Sequence, residues 1–215
     1  MYKMINMGRV RVLNVLAEAA LIVFSILLAL YTNHWREEYA AHQRLEIALA
    51  EIRLELQQNQ AILQNVLPYH LVEVNRIGDF LNRPDLARQV RGKNLIELLK
   101  QRSEDLNFHG VWNPQVSPSY LSDAAWKSAI ASSVLPLMKP ELLKALTSYY
   151  SGQETGVLNT LQTLNQVYLG PEPYDRSQTI TMLRTLQGTF RELADQEQSL
   201  LQSVDQTLRA MPEKR

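Results

Sequence analysis

The stretch LEIALAEIRLELQQNQAILQNV, residues 45–66, has the periodicity of a long helix with one apolar face. Its seam positions alternate steps of four and three residues, which is the spacing of helices that pack along their length. The seam consists of Leu45, Leu49, Ile52, Leu56, Asn59, Leu63 and Val66. We interpret Asn59 as a buried amide that sets the register of packing, in preference to a ligand contact.

A second long helix with the same periodicity is predicted over residues 177–210. Its seam is formed by Leu186, Phe190, Leu193, Glu197, Leu200 and Val204. Residues 33–67 and 177–210 would each form a helix about 50 Å long, so they can pair antiparallel over their whole lengths. The expected fold class is all-α, with one N-terminal transmembrane helix that continues into an antiparallel bundle of long helices.

Shorter helices are predicted between these two. Residues 94–101 should form one, Ser122 is a good N-cap for another, and residues 140–168 should form a third long member of the bundle. We expect the region 84–136 to cap the end of the bundle that is farthest from the membrane. Pro68 should kink or interrupt the first helix, after which an apolar face resumes at Leu71, Val74, Ile77 and Leu81.

Composition excludes several classes of function. The 215 residues carry 22 Lys and Arg against 22 Asp and Glu, so the formal net charge is zero and there is no basic field for nucleic acid. The chain has no cysteine, which excludes disulfides, a thiolate nucleophile and a cysteine-ligated zinc site. We therefore expect no nucleic-acid partner and no cofactor.

The segment VLNVLAEAALIVFSILLALY, residues 12–31, is long and apolar enough to span a bilayer. Basic residues precede it and aromatic residues follow it, which predicts a cytoplasmic N-terminus and a translocated C-terminal domain. The expected division is a basic N-terminus at 1–11, a transmembrane helix at 12–35 and an extracytoplasmic helical domain at 36–215. A cleaved signal peptide is the alternative, but no small-residue cleavage site follows the apolar run.

The polar residues of the predicted span fall on one stripe of the helix. Arg11, Glu18, Ser25 and Thr32 are spaced seven apart, and Asn14 follows Arg11 by three. A polar stripe within lipid is expected to face protein or water, so it predicts a partner helix in the bilayer, from a second copy or from another membrane protein. The alternatives for Glu18 are a carboxylate that reaches the headgroups and a carboxylate that carries protons.

Three motifs resemble a family of uncharacterised bacterial single-pass membrane proteins. They are the Glu-led apolar span that ends in Asn33-x-Trp35, the helix with Asn59 near its middle, and the Trp126 helix ahead of a Tyr-rich helix. The resemblance implies an anchor in the bacterial inner membrane and a periplasmic helical domain. It implies no activity, cofactor or partner.

A candidate ligand or partner site is predicted at the distal end of the bundle. The segment 103–118 reads as a loop with aromatic anchors, and His70 follows directly after Pro68. If the loop folds onto the bundle, His70, His109 and Asp123 could meet there. The predicted site comprises Tyr69, His70, Phe108, His109, Trp112, Asp123 and Trp126, and no pair of histidines has metal-ligand spacing.

Three functions remain open from the sequence. The first is a membrane-tethered interaction or sensor-like module whose distal region meets a ligand or partner. The second is an accessory subunit of a larger membrane complex, with the Glu18 stripe used for docking or proton handling. The third is an enzyme built on histidine, which we rank last because the sequence contains no catalytic motif.

Overall fold

The structure, a computed structural model, describes residues 3–101 and 121–212, with side chains described over 18–98, 121–167 and 170–212. The fold is all-α, as predicted, and the described ranges contain no strand. The predicted loop at 103–118 lies outside the described residues. The chain divides into two compact units, Met1–Ile47 and Ala48–Arg215.

The first unit belongs to helix α1, Lys3–Leu81. The side chains of its apolar stretch are exposed, including Phe24 at 62% and Leu30 at 62%. Among the described residues, one helix is long and apolar enough to cross a membrane by length and composition, and its most apolar window has no buried residue. The core of a soluble bundle is therefore a poor explanation for this segment.

Of the two outcomes predicted at Pro68, a kink or an interruption, the structure contradicts the interruption. The helix continues to Leu81 with Pro68 inside it. Pro68 has no N–H, so the backbone hydrogen bond that a different residue would make at this position is missing. Val66 and His70 on either side are 2% and 5% exposed, and this packing holds the helix together through the proline.

The buried face of α1 agrees with the predicted seam up to Pro68. Beyond it, the predicted positions Val74 and Ile77 are buried, whereas Leu71 and Leu81 are not. Ile52, Leu56 and Leu63 have no exposed area, and Asn59 is 1% exposed. Beyond Pro68 the predicted position Leu71 is 44% exposed. The buried positions there are His70, Glu73, Val74, Ile77 and Phe80.

The second long helix, α7 at Thr179–Ala210, pairs antiparallel with the bundle part of α1. Arg53 bonds the carbonyl of Pro212, Gln60 bonds Asp205, His70 contacts Glu197, and Gln187 bonds the carbonyl of Val74. The residue numbers of these partners decrease as the residue numbers along α1 increase, which is the pattern of antiparallel helices. At Gly78 a Cβ atom would lie 2.6 Å from Nε2 of Gln187, so glycine permits this close approach.

The remaining helices are α2 at Leu86–Val90, α3 at Leu95–Gln101, α4 at Ala124–Ala131, α5 at Pro140–Gly152 and α6 at Asn159–Leu169. A π-helical segment, Gln153–Leu158, joins α5 to α6 without a break. Two short 3₁₀ turns lie at Leu135–Leu137 and Glu172–Tyr174. Helices α5 and α6 both pack on α7, which confirms the predicted third long member of the bundle.

Only part of the predicted cap lies at the far end of the bundle. Helix α3 contacts the start of α7, where Thr179 donates to the carbonyl of Lys93. Helix α4, by contrast, lies against the middle of the bundle, because the segment before it bonds Asn59. The prediction that the whole of 84–136 caps the far end is therefore wrong for α4.

Candidate functional site

Three carboxylates are buried on the inner faces of α1 and α7. Glu55 is 5% exposed, and Glu73 and Glu197 have no exposed area. Buried carboxylates are rare and need partners, because removing a charge from water without compensation is costly. These three belong to two groups of polar side chains, which we name the Glu55 cluster (Glu55, Asn59, Ser122, Tyr150 and Gln153) and the His70 cluster (Tyr69, His70, Glu73, Arg76 and Glu197).

In the Glu55 cluster, Glu55 caps a helix that is distant in the sequence. Its Oε2 accepts from the Ser122 hydroxyl at 2.6 Å and from the backbone N–H of Ala125 at 2.9 Å. Its Oε1 accepts from the N–H of Trp126 at 3.4 Å and from the Tyr150 hydroxyl at 2.7 Å. The N–H groups of Ala125 and Trp126 belong to the first turn of α4, so a carboxylate on α1 does the work of a local N-cap.

Ser122, the predicted N-cap, contributes to capping together with Glu55. Its Oγ accepts from the N–H of Ala124 at 3.3 Å and donates its hydroxyl hydrogen to Glu55. Asp123 is the N-cap residue by position, but its side chain makes no capping hydrogen bond. Its carboxylate instead pairs with Nζ of Lys127 at 2.7 Å. The start of α4 is therefore fixed by a local bond and by a tertiary contact.

Asn59 holds the backbone of the segment just before α4. Its Nδ2 donates to the carbonyl of Ser122 at 2.7 Å, and its Oδ1 accepts from the N–H of the same residue at 2.9 Å. The buried amide of Gln153 adds bonds to the carbonyls of Leu121 and Ser122. Gln153 is the first residue of the π-helical segment. The interpretation of Asn59 as a core amide is consistent with these contacts.

An aromatic stack completes the Glu55 cluster. The rings of Trp126 and Tyr150 lie 5.2 Å apart and nearly parallel, at 3°. Tyr149 meets Tyr150 edge to face at 4.9 Å. Burial raises the pKa of the Tyr150 phenol far above its ordinary value, and the bond and charge of Glu55 raise it further. Burial likewise raises the pKa of Tyr149.

The His70 cluster joins α1 to α7 through a buried pair. Nδ1 of His70 lies 2.9 Å from Oε2 of Glu197, and the two side chains are 6% and 0% exposed. The ring of Phe190, also on α7, lies 5.7 Å from the imidazole ring. Burial raises the pKa of Glu197, and the contact with His70 opposes that rise.

The second carboxylate of the His70 cluster lies one turn along α1. Oε1 of Glu73 is 2.9 Å from Nη1 of Arg76. Burial raises the pKa of Glu73, with the charge of Arg76 acting against it, and burial beside Glu73 raises the pKa of Tyr69. Oε2 of Glu73 and Oε1 of Glu197 are enclosed and accept no hydrogen bond of ordinary geometry from the described residues.

The residues of the predicted distal site fall into different places. Tyr69 and His70 lie in the His70 cluster, whereas Asp123 and Trp126 lie at the start of α4 beside Glu55. Fifteen residues of helix separate Glu55 from His70, which is about 22 Å along α1. The structure thus does not bring His70 and Asp123 together. Phe108, His109 and Trp112 lie outside the described residues.

The polar stripe of the predicted span is partly satisfied by its own helix. The Ser25 hydroxyl donates to the carbonyl of Leu21 at 2.8 Å, and that of Thr32 donates to the carbonyls of Leu28 and Ala29, each at 3.0 Å. Glu18 is exposed. The side chains of Arg11 and Asn14 are not described. Ser25 and Thr32 therefore do not require a partner helix.

A shallow groove of about 300 Å³ lies between α5, the π-helical segment and α7. It is lined mainly by small residues, among them Ser148, Gly152, Gly156 and Ser203. None of its lining residues belongs to the Glu55 cluster or the His70 cluster. Within the described side chains, no group of three histidine or carboxylate residues could hold a metal ion.

Comparison of the chain with protein-family models, curated proteins and solved structures finds no match. The site therefore has to be read from its own chemistry. Sequence reasoning placed Glu197 in an apolar seam without drawing a conclusion from it, although a carboxylate at such a position is a signal of a buried pair. Glu55 and Glu73 gave no comparable signal, because carboxylates on a helix ordinarily face solvent.

Proposed function

We propose that the protein is a membrane-anchored helical interaction module of the sensor type, with no catalytic activity of its own. The observation that carries the proposal is that α1 has an exposed apolar stretch near its start and a buried face further along. The helix exposes an apolar stretch between residues 19 and 31, with Ser25 as its one polar residue, and contributes the central buried face of the bundle between residues 48 and 80. One helix is then both the membrane anchor and the core of the folded domain.

The chemistry of the histidine supports an interaction module over an enzyme. His70 is 5% exposed, and its Nδ1 is occupied by Glu197. A catalytic histidine has to reach a bound substrate, directly or through one water. The groove beside α7 does not include His70 among its lining residues. The buried polar groups fit a role in holding helices together.

Exposed apolar side chains of the bundle part of α1 favour a protein partner. Leu54 and Val72, five turns apart on one face of the helix, are 57% and 42% exposed. Exposed aliphatic residues along one helix face offer a contact surface to a partner. The proposal includes the bacterial inner membrane, a cytoplasmic N-terminus and a periplasmic bundle, as the flanking charges and the family resemblance suggest.

A second candidate function is that of an accessory subunit in a larger membrane complex. The feature in its favour is Glu18, which is exposed at the start of the apolar stretch, whereas the hydroxyls of Ser25 and Thr32 are satisfied by their own helix. A carboxylate in a span marks a contact or a proton path more often than a hydroxyl does. In this function Glu18 would dock on the larger subunit.

Crosslinking of the full chain in native membranes tests the proposal. A photoreactive residue at Leu54 should give a defined adduct with a second copy or a stable partner, whereas one at the exposed polar Gln202 on α7 should give none. Carbonate washing should leave the chain in the membrane fraction. Release by the wash, or equal crosslinking from both positions, would contradict the proposal. An adduct with a large channel subunit that forms only from the span would favour the second function.

A reporter that is active only in the cytoplasm tests the orientation. Fused to Arg215, it should be inactive, because Lys3, Arg9 and Arg11 on the N-terminal flank of the span outnumber Arg36 and Arg44 on the other flank. The same reporter fused ahead of Met1 should be active and serves as the control. An active C-terminal fusion would place the bundle in the cytoplasm and would contradict the extracytoplasmic part of the proposal.

A further inference from the structure

The His70 cluster contains two buried carboxylates, Glu73 and Glu197, and one permanent positive charge, that of Arg76. Arg76 supplies one permanent positive charge, which pairs with Glu73. Glu197 faces His70 alone among the described side chains. The cluster is therefore electrically neutral only when one proton is held between His70 and Glu197. Without that proton, a net negative charge would be enclosed between α1 and α7, where desolvation makes it expensive.

We infer that the His70 cluster is a proton-operated lock between α1 and α7, which is closed at neutral and mildly acidic pH and opens as the pH rises. This inference rests on the proposed function, since it names the stimulus to which the sensor module would respond. The titratable and charged groups that face His70 are Glu197 from α7 and Tyr69, Glu73 and Arg76 from α1.

Thermodynamic linkage gives the direction of the response. In the unfolded chain, histidine releases its proton near pH 6.5, so above that pH the open form holds no proton at this pair. Charge balance within the buried cluster favours one retained proton in the closed form. The closed form then loses stability as the pH rises, because the open form has given up a proton that the closed form retains. Burial raises the pKa of Glu197 and Glu73 in the closed form, so the closed form also binds protons at these groups more tightly than the open form does. This changes the stability of the closed form in the same direction.

The position of the cluster explains what would move. Pro68, two residues before His70, leaves α1 without one backbone hydrogen bond, so this is a weak turn of the helix. Beyond it, described hydrogen bonds to α7 include the pair at His70 and the bond from Gln187 to the carbonyl of Val74. Release of the proton would loosen α1 from His70 to Leu81 while the Glu55 cluster remains closed.

Amide hydrogen exchange of the full chain in lipid nanodiscs tests the inference. After correction for the intrinsic effect of pH, protection over residues 70–81 and 186–197 should decrease progressively between pH 7 and pH 8.5. Protection over residues 52–63 should not change. Glu197→Gln keeps a hydrogen-bonding group but cannot ionise, so it should abolish the pH response. Asp195→Asn, an exposed change on α7, should keep it.

If Glu197→Gln does not fold, the double variant His70→Leu, Glu197→Leu replaces the pair by apolar groups and should be closed at both pH values. An unchanged wild-type protection between pH 7 and pH 8.5 would overturn the inference. A response that persists in the variant without an ionisable pair would also overturn it. Both outcomes are independent of membrane crosslinking, so the lock can fail while the proposed interaction function stands.

Discussion

The Tyr150 hydroxyl donates a 2.7 Å hydrogen bond to Oε1 of Glu55, and each of these residues, 95 positions apart, is 5% exposed. The same carboxylate accepts three further hydrogen bonds from the start of α4. Glu55 therefore connects three helices through one side chain. Its removal would leave several enclosed donors without an acceptor, which is the costly way to lose a hydrogen bond.

Replacing Glu55 with alanine should lower the free energy of unfolding by about 2 to 3 kcal/mol. Glu55→Gln should lose nearly as much, because its amide offers one acceptor oxygen where the carboxylate offers two. Urea unfolding of the full chain in detergent, followed by circular dichroism, measures the change. Glu51→Ala, an exposed residue about one turn earlier on α1, is the matched control and should have little effect. A small effect of Glu55→Ala would mean that α4 is capped by other groups.

The seam of α1 should be sensitive to cavities only on its buried side. Leu56 has no exposed area, so Leu56→Ala should destabilise the bundle by about 2 to 5 kcal/mol. Leu49 is partly exposed, so Leu49→Ala should destabilise the bundle less than Leu56→Ala does. Gln57→Ala and Gln58→Ala, on the exposed side, should be nearly silent in the same urea experiment. If Leu56→Ala and Gln57→Ala shift the urea midpoint equally, the assignment of the buried face of α1 is wrong.

Three tyrosines, the buried Tyr149 and Tyr150 and the half-buried Tyr69 with its enclosed hydroxyl, should make the fold sensitive to alkaline pH. Burial raises the pKa of Tyr69, Tyr149 and Tyr150 in the folded chain. The folded chain thus keeps phenolic protons that the unfolded chain releases above about pH 10. The stability from these groups is fully present below that pH and is lost as the pH rises above it. We expect tyrosinate absorbance to increase in a step that coincides with the loss of helical circular dichroism.

The size of that step identifies the residues. Tyr150→Phe should reduce its amplitude by about one third if Tyr69, Tyr149 and Tyr150 contribute equally. Tyr174→Phe, an exposed change, should not alter it. Ionisation of all tyrosines while the helical signal is still intact would contradict the expectation.

Glu18 should contribute to association within the membrane. Since Ser25 and Thr32 bond their own helix, Glu18 is the described member of the stripe that depends on a partner or on headgroups. Glu18→Leu should weaken crosslinking of the span in native membranes by about 1 kcal/mol without impairing insertion. Ile22→Leu is the control. If Glu18→Leu and Glu18→Gln both leave crosslinking and cellular function unchanged, Glu18 merely reaches the headgroups.

The main features of the fold could be predicted because they depend on local periodicity. The seam of α1, the extent of α7 and their antiparallel pairing all follow from apolar residues at helical spacing and from matched lengths. Pro68 was misleading because a proline lacks one hydrogen bond, while the surrounding packing of Val66 and His70 compensates for it. The position of α4 could not be predicted because it depends on Glu55 and Asn59, far away in the sequence.

The candidate site was less accessible to prediction. The sequence marks His70 as a candidate site residue, but it predicts His109 and Asp123 as partners instead of Glu197 on α7. The pair with Glu197 joins positions 127 residues apart, and no spacing rule connects them. Glu73 was not among the positions predicted for the apolar face beyond Pro68. It is buried because the periodicity of the inner face continues unbroken through the proline, from Val66 to His70, Glu73, Ile77 and Phe80.

The antiparallel pairing of α1 with α7 also determines when the chain can fold during synthesis. Helix α7 begins about 100 residues after α1 ends, so at about 5 to 20 residues per second the ribosome would need several seconds to supply it. Until then, Ile52, Leu56 and Leu63 on α1 have no α7 to cover them. Nascent chains that stall before residue 179 should accordingly be substrates for chaperones and proteases, whereas chains that have released α7 should escape both.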